Sequence, residues 1–493
     1  MAPSCCYAWA ATPPSSFPPL ALPKRCFTCR TTSSHTAPAP TSATSSSTAP
    51  KAPSSWSSTP AGSPSASSMP NTSSPPSVSA SASIRHDETR SLLHRLHSLP
   101  GSSPVDLRSA IFDWMLNVTT RVLFSERADE DRLNYMFDFP NVFRELSEIF
   151  TQPMLADFVP YLHPFFDPGG MEKRLLREQA RMDAILESIV RKRLAQVAAD
   201  PFSTPSDVLT TLLQFEGKIP TPDGQPLPGG SESKGKPAGD SADNDAVKSL
   251  LLVNFILPDH FLNNPALNVP QEMLAATTDT TTAAVEWAMV ELLYCARDCA
   301  LERLKQEIAE AMEGKETNQV DEAQLGSLAY LEAVLKEALR LHPGPTATPT
   351  GSLLLPHFAK EAAHVAGYHI PANTILAVNA CAIGRDESVW ADANLFKPER
   401  FLAGGSDNPI SLSRQTNYQL LAFGKGRRGC NQGMIMAGLV VANLVHNFDW
   451  HTSTPPDLTE KMSAANVLTQ PLLLTLSPRQ ISRECDTVFF FWV

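Results

Sequence analysis

The segment with the strongest chemical signature is Phe423-Gly-Lys-Gly-Arg-Arg-Gly-Cys430, which a long apolar run follows. Its glycines permit a tight backbone that can lie close to a flat ligand, since no Cβ intrudes. Cys430 stands just before the expected N-terminus of a helix and beside Arg427 and Arg428, and both features favour the thiolate over the thiol. Most buried cysteines are inert packing, but a thiolate in this setting is a soft, anionic metal ligand.

The flanking residues favour a metal held in a flat ring. As an axial ligand of haem iron, the Cys430 thiolate would push electron density toward bound dioxygen and help to cleave the O–O bond. Arg428 would meet a haem propionate, because a guanidinium fork matches a carboxylate. The nine cysteines of the chain are too dispersed for a disulfide framework and offer no second C-x-x-C motif for a zinc site.

Two further motifs carry charged side chains at suggestive spacings. Glu337-Ala-Leu-Arg340 is an E-x-x-R motif, and residues three apart on a helix are neighbours that can pair. Asp279-Thr280 lies in a Thr-rich run. A carboxylate beside a hydroxyl that can hold a water is a suitable proton relay for dioxygen activation. On the residues alone, helix capping explains that run equally well.

Taken together, these motifs resemble those of the cytochrome P-450 superfamily. Phe423, Gly426, Arg428 and Cys430 match its haem-binding signature F-x-x-G-x-R-x-C, and Pro398-Glu-Arg-Phe401 matches its P-x-R-F element. The acid-alcohol pair, E-x-x-R, P-x-R-F and the cysteine loop follow in the order of the family. Short strings such as AGYHIP, AIGRD and FKPERF are similar to land-plant members. The resemblance covers about 84–480.

The resemblance implies a role for each motif. Cys430 would ligate the haem iron, with Arg428, Phe423 and Gly426 around the cofactor. Asp279 and Thr280 would handle protons on the distal face of the haem. The support network under the haem, which is structural and not catalytic, would consist of Glu337, Arg340 and Arg400.

In several places the chain departs from the family pattern. Asn431-Gln-Gly433 follows the cysteine where the family has Gly two residues on, and the loop is about three residues short. Thr277 stands where the family has Gly, which adds a β-branched side chain near the oxygen groove. The proline-containing stretch 257–273 resembles an insertion, for which a retained intron or a faulty gene model is one hypothesis. The family's membrane anchor and first sheet are not recognisable before Ile84.

Helical periodicity over 104–124, 131–150 and 171–198 predicts amphipathic helices, and a further helix-like run covers 274–297. HVAGYHIP and TILAVNA predict short strands. We therefore expect a mainly α fold with small β-sheets, similar to the cytochrome P-450 fold. The expected organisation is one large haem domain at 84–480, a low-complexity segment at 1–83 and a tail at 481–493.

The first 83 residues hold 15 Pro and 23 Ser and no acidic residue, which predicts a segment without packed structure. The same composition suits a plastid transit peptide, a disordered tail or a mis-predicted exon. No run reaches the roughly 20 apolar residues that span a bilayer. The endoplasmic reticulum membrane is therefore expected by resemblance alone, with the plastid as the alternative.

A net charge of -11 argues against nucleic acid as a main partner. The resemblance implies a haem-thiolate monooxygenase, an oxidoreductase that inserts one oxygen atom from O2 into a lipophilic small molecule of plant secondary metabolism. Electrons would come from NADPH through a cytochrome P-450 reductase. One alternative is a haem enzyme for isomerisation or dehydration without external electrons, against which Asp279 and Thr280 argue. The other is a truncated, inactive product that does not hold haem.

Overall fold

The structure is a computed structural model, and it describes residues 8–10, 77–100, 103–128, 138–150, 170–200, 205, 207–215, 218–221, 272–295, 299–344, 357–359, 361–402, 419–422, 432–451, 456–461 and 465–479. The cysteine loop at 423–431 and the predicted tail at 481–493 lie outside the described residues. So do most of the N-terminal segment and of the stretch 257–273, and the predictions for them stay predictions.

Helices dominate the described residues, as the periodicity predicts. They are α1 (Ser77–His97), α2 (Leu107–Phe124), α3 (Phe139–Phe150), α4 (Met171–Ala199), α5 (Val208–Phe215), α6 (Glu272–Val290), α7 (Cys299–Met312), α8 (Glu322–Leu325), α9 (Ala329–Leu341), α10 (Ala380–Gly384) and α11 (Gln432–Asn447). A π-helical turn at Glu291–Cys295 continues α6, and Pro398–Phe401 forms a single 3₁₀ turn. No helix within the described ranges combines the length and the apolar character needed to cross a bilayer.

The strands are short, and every pairing in the described residues is antiparallel. They are β1 (Ala8–Ala10), β2 (Val105–Asp106), β3 (His357–Phe358), β4 (Ala363–Val365), β5 (Tyr368–Ile370), β6 (Ile375–Val378), β7 (Phe448–His451), β8 (Glu460–Lys461), β9 (Val467–Leu468) and β10 (Leu473–Pro478). They form two three-stranded sheets, ordered β1-β6-β3 and β2-β10-β7, and two hairpins, β4-β5 and β8-β9. The expected mainly α fold with small sheets is confirmed.

The expected boundary at Ile84 falls inside α1, which begins at Ser77. A tertiary anchor accounts for the longer helix. Nη1 of Arg85 donates to the hydroxyl of Ser81 at 3.0 Å, and Nη2 donates to Oε2 of Glu322 on α8 at 2.9 Å. Docking of this kind outweighs the weak helix preference of a Ser-rich sequence, because most helical stability in proteins comes from packing. In addition, β1 pairs with the edge of β6.

Helix α6 runs through the main apolar core, where it packs against α2, α9 and α11. A buried ion pair ties it to α2, because the guanidinium of Arg108 lies 2.9 Å from the carboxylate of Glu286. Nη2 of Arg108 also donates to the carbonyl oxygen of Leu468 on β9 at 2.7 Å. Burial raises the pKa of Glu286 even with this partner. Helix α6 is thus fixed to both α2 and the β8-β9 hairpin.

Local signals set the start of α2 and the end of α9. The Asp106 carboxylate accepts a hydrogen bond from the backbone N–H of Ser109 at 3.0 Å and so caps α2. Helix α9 ends at Leu341, two residues before Pro343, because proline cannot continue a helix. A second apolar cluster joins α2 to α3, α4 and α5.

The pH dependence of stability can be predicted from His446 on α11. The side chain is buried, and burial, together with the charge of Arg479, lowers its pKa from 6.5 to about 4. Below pH 6.5 the unfolded chain therefore binds a proton that the folded chain refuses, so acidification favours unfolding. Relative to His446→Gln, the wild type should lose about 1.4 kcal/mol of unfolding free energy per pH unit between these two values. Urea unfolding of both proteins across that pH range measures this slope. The same pH dependence of the unfolding free energy in both proteins would contradict the prediction.

Candidate functional site

The residues of the E-x-x-R and P-x-R-F motifs meet in one buried network. Glu337 on α9 is fully buried, and its carboxylate accepts hydrogen bonds from Nε and Nη2 of Arg340, both at 2.7 Å. Nε of Arg400 donates to the same carboxylate at 3.0 Å, and the backbone N–H of Lys397 does so at 2.9 Å. Two guanidinium groups and one backbone N–H thus donate all of these hydrogen bonds to the buried carboxylate of Glu337.

The two arginines use their remaining donors on backbone carbonyl groups. Nη1 of Arg340 donates to the carbonyl oxygens of Ala393, at 2.6 Å, and of Gly384. Nη1 of Arg400 donates to the carbonyl oxygen of Ala391 at 3.0 Å. A Cβ at position 384 would collide with the carbonyl oxygen of Arg340, so this close approach requires glycine. The network therefore fixes α9, α10 and the segment that ends in P-x-R-F relative to one another.

Trp390 is a part of this network that the motifs do not reveal. Its side chain is fully buried, and its indole N–H donates to the carbonyl oxygen of Ile383 at 3.0 Å. The guanidinium carbons of Arg340 and Arg400 lie 5.2 and 5.9 Å from its ring centroid, within the range of a cation–π interaction. A lone Trp between AIGRD and FKPERF is the signal that could have pointed to it.

The network also supports both ends of the cysteine loop. Phe423, Gly426, Arg428 and Cys430 lie outside the described residues. Immediately before the loop, Leu420 and Ala422 belong to a buried apolar cluster, together with Leu339, Trp390 and Phe401. Immediately after it, the first turn of α11 is half-buried, and its Met434 packs against the same cluster. The described residues on both sides of the loop thus rest on the same apolar cluster as Trp390.

Helix α6 presents a stripe of incompletely buried residues. Thr277, Thr280 and Ala284 are half-buried, whereas residues 281–283 and 285–290 are buried. At about 100° per residue these three positions lie on one face of the helix. Asp279, which is half-buried as well, projects about 100° away from Thr280 around the helix axis. Asp279 and Thr280 are neighbours, but they point in different directions.

From its place in the motif, the side chain of Thr277 is expected near the oxygen groove. In the structure, this side chain contacts α2. Its hydroxyl lies 3.4 Å from the hydroxyl of Thr119 on α2. Thr119 in turn donates to the carbonyl oxygen of Met115 at 2.8 Å. The β-branched side chain therefore contributes to the contact between α2 and α6.

The described residues on either side of the cysteine loop fit a flat apolar cofactor. Ala284 on α6 and Met434 on α11 are half-buried and pack against the same buried apolar cluster. The stripe on α6 adds the hydroxyl of Thr280. Cys430 is two residues before α11, and its thiolate is the ligand that a haem iron would need.

The energetic weight of the network can be tested at Glu337. Glu337→Gln removes the buried anion and leaves Arg340 and Arg400 without a counter-charge, which should cost about 3–5 kcal/mol of unfolding free energy. The matched control is Glu332→Gln on the same helix, because that carboxylate is exposed and pairs with Lys336 at 2.7 Å. The control should cost less than about 1 kcal/mol. Urea unfolding measures both losses, and equal losses would show that the network has no special weight.

Comparison with known proteins agrees with this geometry. The sequence model of the cytochrome P-450 family matches residues 66–227 and 240–477. The chain is 33% identical over 379 residues to ferruginol synthase from Salvia miltiorrhiza, covering 76% of this chain and 66% of that protein. It is 31% identical over 374 residues to flavonoid 3'-monooxygenase from Petunia hybrida, covering 74% and 63%. The chain thus spans just under two thirds of the length of these curated relatives.

A solved structure supports the same assignment. A zebrafish cytochrome P-450 with abiraterone superimposes with a TM-score of 0.55 over 82% of this chain and 79% of that chain. At 21% identity, this likeness concerns the fold alone. The family match over most of the chain, the mainly helical fold and the arginine–glutamate network agree: the chain belongs to the cytochrome P-450 family, whose cofactor is a haem with a cysteine thiolate as axial ligand.

Proposed function

We propose that this protein is a haem-thiolate monooxygenase that inserts one oxygen atom of O2 into a lipophilic small molecule. The observation that carries the proposal is the buried apolar cluster against which both the half-buried Ala284 of α6 and Met434 at the start of α11 pack. Family membership supplies the cofactor that would lie beside it. The reaction consumes O2, two electrons from NADPH and two protons, and it releases the hydroxylated product and water.

Cys430 is the proposed iron ligand. When bound, the haem supplies the iron at which dioxygen is reduced and split. The thiolate of Cys430 would hold the iron and would supply the electron density that favours O–O cleavage. Arg428 would pair with a propionate, and Phe423 and Gly426 would shape the loop around the sulfur. The cluster that holds Leu420 and Ala422 supports the start of the loop and so helps to set the position of the thiolate.

Asp279 and Thr280 are the proposed proton-handling residues. Thr280 belongs to the half-buried stripe, where its hydroxyl can hold a water beside the reacting oxygen. Asp279 projects a quarter of a turn away, so its carboxyl can accept a proton from another direction and pass it to that water. Glu337, Arg340 and Arg400 act as supports, since their polar atoms are committed to one another and to backbone groups.

The substrate is proposed to be a plant secondary metabolite of the terpenoid, flavonoid or phenylpropanoid type. Support comes from the names of the relatives, which include a 3-beta-hydroxylase from Tanacetum parthenium that is 30% identical over 386 residues. Family membership supports a redox partner, for which we propose a cytochrome P-450 reductase, and the endoplasmic reticulum membrane is the proposed location.

The ligation by Cys430 can be tested by spectroscopy of the full chain. Expressed with a supply of hemin, reduced and exposed to carbon monoxide, the wild type should show the Soret band typical of thiolate-bound haem. Cys430→Ser should abolish that band because it removes the soft ligand. Cys381→Ser is the matched control, because this half-buried cysteine lies on α10 outside the loop, and it should keep the band. A wild type without the band would favour the inactive-product alternative.

The role of Thr280 can be tested by the fate of reducing equivalents. Thr280→Val keeps the shape of the side chain and removes the hydroxyl, so protons should reach the bound oxygen about 10- to 100-fold less effectively. The ratio of product to NADPH consumed should fall, and hydrogen peroxide should rise. The assay would use the terpenoid, flavonoid or phenylpropanoid that the wild type converts fastest.

The control for this test lies on the same helix. Thr282→Val removes a buried hydroxyl that donates to the carbonyl oxygen of Thr278 at 2.8 Å and lies on another face of α6. It should leave the product ratio unchanged. An unchanged ratio in Thr280→Val would remove Thr280 from the proton path.

A further inference from the structure

A histidine that belongs to none of the motifs joins three elements beside the stripe of α6. His342 follows the last residue of α9, and its ring stacks on the indole of Trp287 with centroids 3.6 Å apart and planes 6° from parallel. Its Nε2 lies 2.8 Å from Oε1 of Glu291, and its Nδ1 lies 3.3 Å from Oε1 of Glu460 on β8. We call Trp287, Glu291, His342 and Glu460 the His342 clamp.

The clamp is largely buried. The side chains of His342 and Glu291 are 9% and 7% exposed, whereas Glu460 is 41% exposed at the edge of the group. The two nitrogens of one imidazole ring thus face two different carboxylates. The hydrogen bond from His342 is the main reason why the pKa of Glu460 is lowered, and Asn466 and Arg385 act in the same direction.

Two further bonds fix the β8-β9 hairpin to the same side of the core. The indole N–H of Trp287 donates to the carbonyl oxygen of Asn466 at 2.8 Å. Arg108 donates to the carbonyl oxygen of Leu468, as described above. Ala465 and Val467 pack against Ala283 of α6. β8 is paired with β9, and the Glu460 contact joins β8 directly to His342.

The clamp and the proposed oxygen site share one face of α6. Thr280, Ala284, Trp287 and Glu291 follow one another at spacings of four, three and four, so they lie on one face of the helix. Thr280 and Ala284 belong to the half-buried stripe, whereas Trp287 and Glu291 are buried. Trp287 lies two turns, or about 10 Å, beyond Thr280 along the axis. Ala283, which the hairpin contacts, is less than one turn from Thr280, so the hairpin lies close to Thr280 along the helix.

We propose that His342 is a positioning residue that holds the β8-β9 hairpin against α6 through Glu460 and Glu291, and thereby sets the size of substrate that fits beside Thr280. The proposal rests on the proposed function, since it concerns the pocket of that same site. The contacts of His342 described above are with Trp287, Glu291 and Glu460, so it acts through the hairpin.

The test compares variants of the clamp with a matched histidine. His342→Phe keeps a flat ring against Trp287 and removes both ring nitrogens. Glu460→Gln changes a partly exposed position and removes the carboxylate charge that contacts His342. This second variant keeps the test valid if His342→Phe does not fold. His97→Phe is the control. The ring centroid of His97 lies 4.5 Å from that of Phe448, so this histidine also contacts an aromatic ring, but it lies at the end of α1.

Two measurements on the full, haem-loaded chain separate positioning from general damage. Amide hydrogen exchange at 465–468 should be about tenfold faster in His342→Phe and Glu460→Gln than in the wild type, because the hairpin opens locally more often. Visible spectroscopy should show that imidazole binds as in the wild type. The larger 4-phenylimidazole should bind about fivefold more weakly, because the wall that its phenyl group needs is no longer preorganised. His97→Phe should match the wild type in both.

The outcomes are distinguishable from failure of the proposed function. If the two clamp variants keep the carbon monoxide spectrum of the wild type but show unchanged hairpin exchange and an unchanged affinity ratio, the positioning role is overturned. Faster exchange with an unchanged ratio also overturns it, because the hairpin then does not shape the pocket. If the wild type itself shows no thiolate spectrum, the proposed function fails, and with it the proposed effect on substrate size.

Discussion

A single buried carboxylate organises the part of the molecule that the proposed chemistry depends on. Glu337 has no exposure to solvent, so its charge has to be balanced by partners at close range. Arg340 and Arg400 provide that balance, and each commits its other donors to backbone carbonyl groups between residues 384 and 395. An electrostatic requirement therefore fixes the geometry of α9, α10 and the P-x-R-F turn together. Leu420 and Ala422, which precede the cysteine loop, pack on this assembly, so the network supports the described residues next to the proposed iron ligand.

Most of the surface of helix α6 stabilises the fold, and a smaller part carries the proposed chemistry. Most of α6 is buried in the main core and is tied to α2 through Glu286 and Arg108. One stripe stays only partly buried near Thr280 and continues through Trp287 to Glu291 in the π-helical turn. π-Helical turns often occur at functional sites, and here the turn carries a carboxylate that contacts His342. Thr280, which is proposed for proton transfer, and Trp287 and Glu291, which are proposed to set substrate fit, thus lie on one face of the helix.

Much of the fold could be predicted from the sequence because its signals are local. Helical periodicity identified α2, α3 and α4, and the two alternating stretches identified β4, β5 and β6. The E-x-x-R spacing predicted the pair of Glu337 and Arg340, since residues three apart on a helix are neighbours.

Contacts between distant segments could not be predicted in this way. Periodicity identifies the buried face of a helix but not the element that covers it. Trp390 over two guanidinium groups, His342 between Glu291 and Glu460, and Thr277 against Thr119 all depend on tertiary packing. The early start of α1 has the same origin, because an ion pair with α8 stabilises a Ser-rich turn that has little helix preference of its own.

The most direct test of the central claim is a double-mutant cycle between Glu337 and Arg400, measured as the free energy of unfolding in urea. The cycle uses Glu337→Gln, Arg400→Gln and the double variant, and it isolates the interaction between the two side chains. Because the pair is buried and shares one hydrogen-bonded network, the account predicts a coupling energy of at least about 1.5 kcal/mol. Additive losses, with a coupling energy near zero, would contradict it.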